Sequence, residues 1–85
     1  MTSTYELERN ALAVQMERGL HAERDLAAMS GSTAIAYSLA RCAYSQADLS
    51  RASGLAPATI TGLKAGKIRL SNAHRAALAW AIAKR

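Results

Sequence analysis

The sequence predicts an all-α fold, a compact bundle of about five short helices that includes an extra helix at the N-terminus. Alanine, leucine, glutamate and arginine dominate the chain, and all four favour helices, whereas β-branched and aromatic residues are few. Breaks at Gly19, Ser30 to Ser32, Gly54 and Gly66 cut the chain into segments of helical length.

The chain is short for a stable monomer. Its 85 residues make one domain, which excludes an enzyme with separate cofactor and substrate domains. Hydrophobic residues make up 51% of the chain, but nearly half of them are alanine, so the core is small. A chain of this size buries only about 60% of its unfolded surface, and we expect a homodimer.

Composition argues against several other classes. The single cysteine, Cys42, cannot form an internal disulfide, and no Cys/His spacing is typical of zinc, so we expect no metal and no cofactor. The N-terminal residues do not form a signal peptide, and the apolar stretch 76–83 is too short to span a membrane, which predicts a cytoplasmic protein in a reducing compartment. His21 and His74 lie far apart without a carboxylate constellation, so we expect no enzyme.

Charge is distributed unevenly along the chain. Residues 1–30 carry a formal net charge of −2, whereas residues 31–85 carry +7 and contain a single acid, Asp48. This asymmetry predicts an N-terminal helical extension over residues 1–30, which we consider as a dimerisation element, and a polyanion-binding domain over residues 31–85. A solvated basic face is the alternative explanation of the charge.

Apolar spacing predicts the helices outside the centre of the chain. The first runs over residues 4–18, with one line of Leu7, Ala11, Val14 and Arg18, and with Leu12 and Met16 beside it. A shorter helix over residues 21–29 follows the break at Gly19. A third covers residues 33–43 after Ser32 as a cap, with Ile35, Leu39 and Cys42 facing inward.

The last helix is predicted to start at Ser71 as N-cap and to carry Leu78, Trp80 and Ile82 among alanines. Tyr44 and Trp80 are interpreted as core aromatics, with a subunit interface as the alternative for Trp80. A subunit interface is also expected on the N-terminal helix around Leu7, Leu12, Val14 and Met16, or on the last helix.

The most informative stretch covers residues 45–67. Ser45 followed by Asp48 indicates a capping box, and Leu49 then faces inward. Gly54 suits a left-handed turn, and Pro57 suits the first position of a second helix. Two short helices joined by a tight turn are therefore predicted.

In the second of these helices Ile60 and Leu63 face inward, which leaves small and hydroxylated residues outward. The outward set is predicted to be Ala58, Thr59, Thr61, Gly62 and Lys64. A plain surface helix would carry glutamate and lysine there, so this face is suited to close approach by another surface.

This stretch resembles the helix-turn-helix of the phage-repressor-like, Cro-type DNA-binding family. The resemblance covers residues 45–67 without a gap and, more loosely, residues 33–83. It depends on Gln46, Leu49, Gly54, the Ile60 and Leu63 pair, and the Gly66-Lys67 exit. The chain is also similar to the small repressors of phages and plasmids, the Kor-type plasmid repressors among them.

The resemblance implies that residues 57–65 lie in the major groove of DNA while the preceding helix crosses the backbone. Gln46 would contact a phosphate and brace the recognition helix, and Lys67 and Arg69 would meet the sugar-phosphate backbone. The implied DNA-contacting residues are Ser45, Gln46, Pro57, Ala58, Thr59, Thr61, Gly62, Lys64, Lys67 and Arg69. The implied function is transcriptional repression by a homodimer on double-stranded DNA with an inverted repeat, and no small-molecule ligand is indicated.

The chain departs from the family at several positions. Pro57, Ala58 and Gly62 stand where many relatives carry side chains that bind bases in a bidentate manner, so direct readout is thin. Specificity then depends on threonine and lysine contacts, methyl packing, water or DNA shape. Ser53 also replaces a usual apolar residue.

Two alternative functions remain open at the level of the sequence. One is an antitoxin-like protein whose N-terminal helices bind a partner while its helix-turn-helix regulates its own gene. The other is a sequence-tolerant nucleoid protein, for which the basic segment would suffice.

Overall fold

Five helices make up the computed structural model, which describes residues 4–85 and, for side chains, residues 10–85. They are α1 (Thr4–Leu26), α2 (Gly31–Cys42), α3 (Gln46–Ser53), α4 (Pro57–Lys64) and α5 (Asn72–Lys84). The described part of the chain contains no strand, and the predicted all-α class is confirmed.

Helix α1 is a single helix of 23 residues, so the predicted break at Gly19 is wrong. A glycine inside a helix costs about 1 kcal/mol relative to alanine, and the packing of α1 along α5 outweighs that cost. Ala22 and Leu26 are buried against the core, whereas Ala11 and Val14 on the line singled out by the sequence are exposed. The side chain of Leu7 lies outside the described residues.

Helix α2 begins two residues earlier than the sequence suggests. Its N-cap is Ser30 and not Ser32, because the Ser30 hydroxyl accepts a hydrogen bond from the Thr33 amide at 3.3 Å. Gly31 allows close packing, since a Cβ there would lie 2.9 Å from the carbonyl oxygen of Leu63 in α4. The start of α2 is therefore fitted against the end of α4.

The core lies where α5 meets α1, α2 and α3, with α4 closing it from the side of α2 and α3. Its largest fully buried apolar side chains come from all five helices and are Leu26, Ile35, Leu49, Ile60, Leu63 and Leu78. None of the described helices is both long and apolar enough to cross a membrane.

Two single residues test the predicted core. Cys42 is buried as expected, and burial raises the pKa of its thiol, with Arg85 and Arg41 opposing the shift. Trp80 is 51% exposed, so the prediction of a core aromatic is wrong. Tyr44 is half-buried and packs against the core cluster.

Candidate nucleic-acid interface

Helix α3 starts with the predicted capping box. The Ser45 hydroxyl accepts from the Asp48 amide at 3.2 Å, and the Asp48 carboxylate accepts from the Ser45 amide at 3.3 Å. These hydrogen bonds with Ser45, followed by the ion pair with Arg51, lower the pKa of Asp48 from its usual range. Gln46 is the first residue of the helix and is half-buried.

The turn after α3 is closed by glycine and by two serine hydroxyls. Gly54 has φ of 77°, the left-handed conformation that the sequence predicts. The Ser53 hydroxyl donates to the Leu49 carbonyl at 2.6 Å and accepts from the Leu55 amide at 3.2 Å. The Ser50 hydroxyl donates to the Leu55 carbonyl at 2.6 Å. Ser53 therefore stabilises the turn through two hydrogen bonds. From the sequence, a serine in place of an apolar residue predicts only weaker packing.

Helix α4 is short, and its orientation is set by two buried side chains. Pro57 occupies its first turn, where a missing N–H costs no helical hydrogen bond. Ile60 and Leu63 are fully buried, as predicted. Ala56 at the N-cap has no side chain that could accept from the first amides, which leaves that end of the helix without a side-chain cap.

The outward face of α4 carries Ala58, Thr61 and Lys64, which are exposed as predicted, together with Pro57, which is also exposed. The exposed Thr61 hydroxyl donates to the Pro57 carbonyl at 3.0 Å, which engages its proton and leaves its oxygen lone pairs able to accept. The face is therefore low in relief, with one long basic side chain at its end.

Two predicted members of this face are placed differently. Gly62 is buried, because Ile68 folds over it: a Cβ at position 62 would overlap Cδ1 of Ile68. The prediction that Gly62 faces outward is therefore wrong. Thr59 is half-buried, so it borders the exposed face and does not lie at its centre.

The segment after α4 is held against the helix end. Gly66 adopts φ of 76°, and the amides of Lys67 and Ile68 both donate to the Gly62 carbonyl, at 2.9 and 3.2 Å. This arrangement fixes the backbone from which the exposed side chains of Lys67 and Arg69 project. Together with Lys64 they form a basic flank at the end of α4.

This basic flank, defined as Lys64, Lys67 and Arg69, has no acidic neighbour in sequence. The only acid after residue 30 is Asp48, and its carboxylate is already paired with Arg51. Within the described part of the chain, no ion pair involves a residue of the flank. Its three charges are therefore available to an external anion.

Other basic residues are used elsewhere. Lys84 donates to the Ala52 carbonyl and lies 5.4 Å from the Trp80 ring centroid. Arg85 donates to the Cys42 carbonyl at 2.8 Å. These contacts hold the end of α5 against α2 and α3.

A separate groove of about 440 Å³ lies between α1, α2 and the end of α5. It was not predicted from the sequence, because its walls come from three distant segments. Its polar and charged lining consists of Arg18, His21, Asp25, Tyr37, Arg41 and Arg85. The Tyr37 hydroxyl donates to Oδ2 of Asp25 at 3.2 Å, which gives the one carboxylate among these lining residues a hydrogen bond.

The described residues bring together no group of three His, Cys, Asp or Glu side chains that could hold a metal ion. The face of α4 and the basic flank offer a shallow helix surface beside cations, which is suited to binding an anion.

No protein-family model, curated protein or solved structure matches the chain. The kind of ligand can therefore be inferred only from the face of α4 and the basic flank.

Proposed function

We propose that the chain is a sequence-specific DNA-binding transcriptional repressor that acts as a homodimer on an inverted-repeat operator, with α4 in the major groove. One observation carries this proposal: the exposed face of α4 consists of small and hydroxylated side chains and leads directly into the basic flank. The helix-turn-helix arrangement of α3 and α4, with Gly54 in its turn, supports it.

The shape of the α4 face fits a groove better than open solvent. The major groove is about 12 Å wide and admits one helix, provided that the side chains on the approaching face are small. Ala58 and Thr61 present methyl groups that can pack against thymine methyls. Lys64, at the end of the face, reaches guanine acceptors or a phosphate.

Backbone contacts would come from the residues around the groove-facing helix. Lys67 and Arg69 extend from a loop whose backbone is hydrogen-bonded to the end of α4, so both side chains start close to that helix. Gln46 at the start of α3 supplies a neutral donor to a phosphate. These contacts set the register of the protein on the duplex.

Dimerisation follows from the small size of this surface. One short recognition helix reads few base pairs, and two copies related by a two-fold axis place their helices about 34 Å apart, one turn of the duplex. Binding at such a site would repress transcription by blocking polymerase sterically.

The first experiment is selection of bound sites from a random duplex pool at about 150 mM salt, where weak backbone-only binding is suppressed. The proposal expects an enriched inverted repeat. Binding without enrichment would instead favour a nucleoid protein, and a second protein that co-purifies at fixed stoichiometry and is needed for DNA binding would favour an antitoxin-like role.

Variants then separate backbone contacts from base contacts. Lys67→Ala should weaken binding to all sequences alike and lower the salt-dependence slope by about one unit. The control is Arg24→Ala, which removes the same charge from α1, a helix that packs mainly against α5, and should leave the slope unchanged.

Thr61→Val keeps the shape of the side chain and removes its hydroxyl, so it should change the preferred bases without changing the slope. Uniform loss of affinity in both Thr61→Val and Lys67→Ala would contradict base reading by Thr61.

A further inference from the structure

A strip of large apolar side chains lies on the outside of α1. Leu12, Met16 and Leu20 are 54%, 61% and 64% exposed, and they follow one another at intervals of four residues. Met16 and Leu20 border an apolar groove of about 240 Å³ between α1 and α5, and the exposed Trp80 stands on its other side. Adjoining large apolar side chains that are exposed on a small domain are typical of an interaction site.

The strip does not hold α1 to its own domain. Ala22 and Leu26 do that, and they lie on a neighbouring side of the helix, roughly 100° around from the strip at about 3.6 residues per turn. Helix α1 therefore has two apolar sides, of which one is covered by α5 and the other is open to solvent.

The charges at the two ends of the strip restrict what can cover it. Arg9 and Glu23 each lie seven residues from Met16, on opposite sides of it in the sequence. At about 3.6 residues per turn, both helix positions fall within roughly 20° of the direction of Met16. A base and an acid thus stand at equal distances from the centre of one apolar strip.

We propose that the strip is the homodimer interface, in which the α1 helices of two copies pack antiparallel with Met16 near the two-fold axis. Leu12 of one copy then faces Leu20 of the other. Helix position 9, which holds a base, then lies opposite position 23, which holds an acid, and because the interface is two-fold symmetric this juxtaposition occurs twice. Parallel packing would place Arg9 against Arg9 and Glu23 against Glu23, so the charge pattern selects the antiparallel arrangement.

This inference rests on the dimeric form of the proposed repressor and specifies which surface makes it. The acidic, N-terminal part of the chain joins the two copies, and the basic flank beside α4 stays free for DNA.

Sedimentation of the full chain over a range of concentrations tests the interface. We expect the wild-type chain to be a dimer. Met16→Glu places two carboxylates together at the axis and should raise the dimer dissociation constant by on the order of 100-fold.

Val14→Glu is the matched control, because Val14 is 47% exposed on the same helix but lies roughly 160° around it from Met16. It should leave the dissociation constant unchanged. Both variants should keep the wild-type helical circular dichroism. Equal weakening by both, or by neither, would overturn the proposed interface.

Charge exchange tests the antiparallel register. Arg9→Glu and Glu23→Arg should each weaken the dimer by about tenfold, since each replaces two attractive pairs by two repulsive ones. The double variant restores both pairs and should regain wild-type affinity. A double variant as weak as the single ones would overturn the antiparallel arrangement.

DNA binding by the same samples separates this inference from the proposed function. A wild-type chain that is monomeric in solution but still selects an inverted repeat would overturn the α1 interface and leave sequence-specific DNA binding standing. If Met16→Glu disrupts the dimer but the wild-type dimer itself enriches no duplex sequence, the interface is supported and the repressor proposal is contradicted. A strip that binds only a different, co-purifying protein would overturn pairing between two copies.

Discussion

The unit formed by α3 and α4 and the long helix α1 depend on the rest of the molecule in different ways. In the α3–α4 unit each boundary is set by a nearby residue: Ser45 caps the first helix, Gly54 turns the chain and Pro57 starts the second helix. Helix α1 instead runs through Gly19 without a break, because α5 packs along it. Local chemistry defines one region, and tertiary contact defines the other.

The two regions also leave different surfaces without a partner inside the chain. The outward face of α4 is small, hydroxylated and bordered by cations, whereas the outward side of α1 is a strip of large apolar residues. A polyanion such as DNA fits the first surface, and another apolar protein surface fits the second. The difference in net charge between residues 1–30 and 31–85 follows the same division.

The largest expected effect separates a buried leucine of the α3–α4 unit from an exposed leucine of α1. Leu49→Ala should lower the free energy of unfolding by about 2–5 kcal/mol, since Leu49 is fully buried and its removal leaves a cavity. Leu20→Ala should change it by less than about 0.5 kcal/mol, because Leu20 is exposed.

Urea denaturation followed by circular dichroism measures both changes, with each substitution made in the Met16→Glu background so that self-association does not contribute. Similar losses in the two variants would mean that the outer side of α1 packs within its own chain.

A smaller effect is expected from the turn of the α3–α4 unit. Gly54→Ala meets no atom within 4 Å, so its cost comes only from the backbone, whose φ is 77°. We expect a loss of about 1–2 kcal/mol in the free energy of unfolding. Gly66→Ala is the control, with φ of 76° and the same open surroundings, and it should cost the same amount. A clearly larger loss in Gly54→Ala would show that this turn has a packing role beyond its conformation.

Sequence reasoning succeeds in the α3–α4 unit because its signals act over a few residues. The Ser45 and Asp48 capping box, the left-handed Gly54 and the inward Leu49 follow from local hydrogen bonding and helix period. The exposure of Ala58, Thr61 and Lys64 follows from the same helix period, since these residues lie outside the stripe formed by the buried Ile60 and Leu63.

The failures occur where a distant residue decides the outcome. Gly62 is buried because the chain turns back at Gly66 and lays Ile68 over it, which the helix period cannot reveal. Trp80 is exposed because α5 is alanine-rich nearly all round, so its sequence does not define a single inward face. Gly19 predicts a helix break from its low helix propensity, but the packing of α1 against α5 keeps the helix continuous there.

The smallest effect concerns that contact and has the opposite sign. Gly19→Ala should raise the free energy of unfolding by about 0.5–1 kcal/mol, because alanine favours the helix and its Cβ would lie at an ordinary contact distance of 3.7 Å from Cβ of Ala83. For a domain of this size the melting temperature should rise by a few degrees, roughly 2–8 °C by calorimetry.

Gly31→Ala is the contrasting substitution, since its Cβ would lie 2.9 Å from the Leu63 carbonyl oxygen and should destabilise the protein. Both glycines are helical, so helix propensity alone predicts a gain at each, and only close packing predicts opposite signs. A loss of stability in Gly19→Ala would mean that α1 and α5 pack too closely at Gly19 to admit the added methyl group. Gly19 would then be required for the close packing of α1 on α5, and not merely tolerated within the helix.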